Sequence, residues 1–159
     1  MKRISDKPKK ILLSAHILFV VAWLGAAICT FVLSLVMGKA AYDDGMLFLQ
    51  NVIKTLYHGI MIPSAIGSIM TGVLLSVFTQ WGLIKYYWVI VKWVVSINMF
   101  ILLTVFLGRW ISVQDPSELF DSPLLLTNLG IQIGHLVFLT ILSVFKPWGK
   151  VRSKVRRSQ

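Results

Sequence analysis

The chain carries three histidines, His16, His58 and His135, each inside a long apolar run, and Lys92 lies well inside another. An ionisable side chain in such a run is costly unless something in the interior uses it. Positions four and three apart share a helix face. By that spacing His16, Val20, Trp23, Ala27, Thr30 and Ser34 line up on one helix. Asn128, Gln132 and His135 line up on a second, and Lys92, Ser96 and Met99 on a third. Imidazoles on facing helices are the ligands of haem iron, and bundles build cofactor sites from such inward side chains. The chain has a single cysteine, Cys29, and no Cys-x-x-Cys-His attachment sequence, so the expected group is a non-covalent haem b. His16 is the expected iron ligand and His135 the favoured second, with Trp23, Lys92 and His58 as further candidate cofactor contacts. Zinc or copper fits less well, because three histidines at different depths make no evident shared coordination shell. Proton-coupled transport normally relies on intramembrane acids, and the apolar runs contain none.

Each of these residues also has a plainer account. His16 and His135 could serve as interhelical hydrogen-bond partners. His58 suits an interfacial position, and Lys92 can snorkel to headgroups or meet a haem propionate. Met99 suits packing better than ligation, and Arg109 suits a solvated rim.

Four elements must position these groups. Ile11–Met37 is a run of about 27 residues without a charge, longer than the roughly 18 that mark a membrane span. The others are approximately 51–79, interrupted by Pro63, then 87–111 and 124–145. Pro63 is expected to kink its helix and free a carbonyl. The connections carry breaker residues, among them Asp43, Asp44 and Gly45, then Asp115, Pro116 and Pro123. The expected fold is all-α: a single transmembrane domain over 1–159, an integral membrane four-helix bundle. The first run exceeds a signal h-region of 7–15 residues, so it reads as a retained anchor. Ser64, Ser68, Gly72 and Ser76, and Gly130-x-x-x-Gly134, form small-residue ridges that permit a compact bundle or a homodimer.

Charge supplies the orientation. The net charge of +10 comes from the two ends. Lys2, Arg3, Lys7, Lys9 and Lys10 face only Asp6, and Lys146, Lys150, Arg152, Lys154, Arg156 and Arg157 face no acid. Both tails and the Lys85 connection fall on one side, which makes both termini cytoplasmic in the cell membrane. The basic ends should touch anionic headgroups. Nucleic acid is not an expected partner, because the charge sits on short flanks rather than on a folded patch with a reading element. His16 lies roughly 7–8 Å along the axis from Ile11. Lys92 is similarly deep in its span and His135 lies near mid-span, so the three are expected in the cytoplasmic half, with His58 opposite.

The stretch Ser14-Ala15-His16-Ile17-Leu18-Phe19-Val20-Val21-Ala22-Trp23-Leu24-Gly25 resembles the first helix of small bacterial four-helix membrane proteins. These include the membrane-bound protoporphyrinogen oxidase (HemJ-like) family, the copper-resistance D family and a related family of unknown function. Trp81-Gly82-Leu83-Ile84-Lys85-Tyr86-Tyr87-Trp88-Val89-Ile90-Val91-Lys92-Trp93 is most similar to that last family. The oxidase resemblance implies haem b with a first-helix histidine and a third-helix lysine, which match His16 and Lys92. Where that family usually has an Arg-Leu-Phe-x-Tyr-His-like stretch, this chain has Cys29-Thr30-Phe31-Val32-Leu33-Ser34. The copper likeness implies metal handling, but a Met- or Cys-rich cluster is absent from the sequence. The expected role is electron transfer, haem-linked oxidoreduction or haem sensing, with a redox partner or quinone exchanging electrons. The alternative is a non-enzymatic partner subunit or small-molecule carrier whose histidines are structural.

Overall fold

A computed structural model describes residues 5–37, 45–111 and 123–151, and these are helical apart from short connections. Helix α1 spans Asp6–Met37. It starts five residues before the apolar run, because backbone hydrogen bonding continues through the lysines at its start. The second span is built from α2 (Gly45–Leu56), a π-helical turn (Tyr57–Met61) and α3 (Ile62–Phe78). The third is α4 (Tyr87–Ile101), a second π-helical stretch (Leu102–Leu107) and α5 (Gly108–Ile111). The fourth is α6 (Pro123–Phe145). Four helices are long and apolar enough to cross a membrane.

Pro63 falls in the first turn of α3, directly after the π-helical turn, with the Ile62 N–H bonded five residues back to the Tyr57 carbonyl. A proline lacks an N–H and crowds the preceding turn. The widened turn absorbs that defect, and helical backbone continues on both sides. The second π stretch serves the packing of the third span: buried Tyr57 donates its hydroxyl proton to the Leu103 carbonyl at 3.0 Å.

The distribution of side chains is inverted relative to a water-soluble domain. Leu18, Phe48, Val94 and Phe145 are among many large apolar residues facing outward, whereas Thr30, Ser34, Ser64, Ser68, Thr71, Asn128 and Gln132 are buried. An apolar exterior with its hydroxyls and amides turned inward suits lipid, where polar groups gain by meeting one another. The main core joins Trp23, Ala26 and Ala27 of α1 to Ile53, Tyr57, Met61, Ala65, Met99, Leu103, Leu125, Leu129 and Leu136.

Packing runs in a chain: α3 on α1, α1 on α6, and α6 on α4. The second and third spans approach at the end away from the termini, through Tyr57 and Leu103. Between α3 and α4 an apolar groove of about 350 Å³ opens outward, lined by Ile66, Ile69, Met70, Ile97, Phe100 and Ile101.

Candidate functional site

The closest helix pair is α1 against α3, and the small-residue ridge explains why. Ser64 and Ser68 are buried there. A Cβ added to Gly67 would lie 2.6 Å from the Phe19 ring, so glycine lets that ring sit on the α3 backbone. One turn further, a Cβ at Gly72 would lie 3.4 Å from Cε1 of His16. The imidazole therefore packs close to α3 at Gly72, in space that a side chain would narrow.

His16 Nδ1 lies 2.9 Å from the Thr71 hydroxyl. That hydroxyl has one proton, and the Gly67 and Ser68 carbonyls stand 2.7 and 3.1 Å from it. Donating back along its own helix, Thr71 accepts from His16 Nδ1–H. The Ser68 backbone is a further hydrogen-bond partner of the imidazole, so the ring is held to α3 through both a hydroxyl and the main chain.

Lys92 repeats the arrangement on the other side of the bundle. Its Nζ donates to the Ser143 hydroxyl at 2.7 Å, and Ser143 donates to the Leu139 carbonyl at 2.6 Å. In both cases a basic group on one helix is received by a back-bonded hydroxyl on its neighbour, α1 to α3 and α4 to α6. Lys92 is close enough to His16 for the two to interact electrostatically, so both lie at the end of the bundle where the termini are.

His135 is elsewhere. Gly130 faces the Phe31 ring across the α1–α6 seam, a Cβ there lying 4.0 Å from it. Because α1 and α6 run antiparallel, that register sets His16 beside the last turn of α6. His135 lies some eight to ten residues from that level, roughly 12–15 Å at 1.5 Å per residue. Helical side chains also lean toward their own N-terminus, so on antiparallel helices the two rings diverge further. By that register the two histidines expected to share a site stand at different depths along the α1–α6 seam.

His135 follows Gln132 by one helical turn on α6. Trp23 is 3% exposed and Gln132 0%. Gln132 Nε2 donates to the Asn128 side-chain oxygen at 2.7 Å. Trp23 Nε1, Gln132 Oε1 and His135 Nδ1 are buried without a hydrogen-bond partner among the described residues. His58 is exposed, its ring edge-on to Tyr57 at 4.8 Å between centroids. Met99 is wholly buried in the core, as its packing account anticipates. Arg109 is exposed at the far end and Cys29 is exposed and free.

Among the described residues no group of three or more His, Cys, Asp or Glu converges as a metal site. Sequence reasoning missed Thr71 and Ser143. The available signal was their helical phase: Thr71 is three residues from Ser68 on the ridge, and Ser143 is eight from His135. Comparison with family models, with curated proteins and with solved structures finds no match.

Proposed function

We propose that this chain is a multi-pass membrane protein, both termini cytoplasmic, that holds one haem b through Nε2 of His16. The observation that carries the reading is the Thr71 hydroxyl, which takes the Nδ1 proton, and the reading takes Nε2 as the donor nitrogen. Ligating histidines are commonly oriented through their second nitrogen in this way. Gly72 supports the reading by leaving the ring room along α3. A bound haem would supply one-electron chemistry, and the protein would tune it through the basicity of His16 and the apolar surroundings. His135 is assigned no ligand role, and Lys92 is turned to Ser143 and a tryptophan rather than to the histidine. Electron transfer, haem-linked oxidoreduction and haem sensing all follow from one ligated haem.

A second reading is favoured by the same hydrogen bond. His16 to Thr71 is also what a purely structural interhelical contact looks like, in a partner subunit or small-molecule carrier. Haem-replete expression followed by absorption spectroscopy separates the two. The haem reading requires a Soret band in the purified protein that His16→Ala removes. A colourless protein that His16→Ala merely destabilises supports the structural reading instead.

A further inference from the structure

The end of the bundle that carries the termini holds a feature the haem reading does not use. After α3, Gly82 turns the chain at φ +63. Trp81, Tyr86 and Trp88 then gather edge to face, with Trp81 at 5.3 Å from Tyr86 and 5.2 Å from Trp88. The segment following α6 folds back over them. Tyr86 bridges Lys150, and the Val151 N–H reaches the Lys85 carbonyl at 3.0 Å. To do so, Lys146 and Trp148 take left-handed backbone at φ 45 and 65. Non-glycine residues adopt that conformation at a cost of about 1–2 kcal/mol in regular backbone, so the surrounding contacts must hold them there.

This framework brings two ammonium groups together. Lys92 Nζ lies 5.6 Å from the Trp88 ring centre, and Lys146 Nζ lies 4.8 Å from that of Trp81. The two lysines are near enough to repel one another. Ser143 receives one of the three Lys92 protons. The only acid among the described residues is Asp6, exposed at the start of α1. Two neighbouring cations over aromatic rings, at the depth where tryptophan settles in a bilayer, suit an anionic ligand.

We propose that Lys92 and Lys146, framed by Trp81, Trp88 and Ser143, bind the phosphate of an anionic membrane lipid. The ammonium groups meet the phosphate, the Ser143 oxygen stays with Lys92, and the acyl chains run along the apolar outer faces of α4 and α6. The proposal uses no haem, and Lys146 in particular takes no part in the haem reading.

The test is native mass spectrometry of the full chain in detergent with equimolar phosphatidylglycerol and phosphatidylcholine. Phosphatidylglycerol should be retained preferentially, at one lipid per chain. Lys146→Met, with its thermal unfolding midpoint measured beside that of the unaltered protein, should lower that retention about five-fold, the effect of one interfacial lysine. Lys92→Met should do the same and Lys92→Arg should restore it. Replacing Lys7, Lys9 and Lys10 together by Gln should change it little. Equal retention of the two lipids, an equal loss in the N-terminal triple variant, or displacement by inorganic phosphate would each overturn the proposal.

Discussion

His16 and His135 look alike in the sequence and differ in almost every physical respect in the folded chain. Both sit on apolar helices in phase with other polar residues. His16 has its Nδ1 proton received by Thr71, a glycine beneath its ring, and Lys92 nearby. His135 has a buried Nδ1 with no partner among the described residues, as do the buried Trp23 N–H and the Gln132 side-chain oxygen. Helical phase shows only that a side chain faces inward. What the side chain can do depends on the neighbouring helix at its own depth. The back-bonded hydroxyl of Thr71 holds the His16 ring to α3, whereas His135 Nδ1 has no such partner among the described residues.

The sharpest way to break this contrast is to exchange the outcomes of removal. His16→Ala should abolish the Soret absorbance of haem-replete protein, and His135→Leu should leave it intact. Loss of the band in both variants would contradict the separation of the two sites. Next in size is the seam that brings His16 to α3. Gly67→Val forces the Phe19 ring off the α3 backbone and should cost about 1–3 kcal/mol, the usual range for overpacking. Thermal unfolding in detergent reads this, and an unchanged midpoint would mean that α1 and α3 are not closely seated.

A smaller effect with the opposite sign is expected at mid-bundle. A buried unpaired polar atom costs about 1–3 kcal/mol, so His135→Leu should leave stability unchanged or raise it by about 1 kcal/mol. A clear loss of stability would show that His135 has a partner that matters. Thr71→Val is the mildest test. It keeps the shape and removes the acceptor, and an interhelical hydrogen bond of this kind contributes about 0.6 kcal/mol in lipid. Stability should barely move, while the haem reading expects weaker haem retention and a displaced Soret maximum from a loosened ring. A spectrum identical to that of the unaltered protein would remove Thr71 from the account.

The four apolar helices were legible because length and the absence of charge are properties of contiguous sequence. Their starts were less so. Lys7, Lys9 and Lys10 end the apolar run without ending α1, since lysine is a good helix former. The widened turn at Tyr57–Met61 was signalled only as a defect at Pro63, because a proline announces a missing hydrogen bond and not how the helix compensates. The inward histidines were readable one by one. Their pairing was not, since depth depends on register, and register here is set by the fit of Phe19 on Gly67 and of Phe31 beside Gly130. Thr71 and Ser143 were passed over because a lone hydroxyl on an apolar helix usually satisfies itself on the preceding turn. Here each does so and also receives a proton from a neighbouring helix.

The most direct test of the central claim is the reduced-minus-oxidised absorption spectrum of the protein purified after haem-replete expression, recorded beside His16→Ala and His135→Leu. The account predicts a b-type spectrum in the unaltered protein and in His135→Leu, and none in His16→Ala. A colourless unaltered protein, or a haem spectrum that survives the loss of His16, would contradict it.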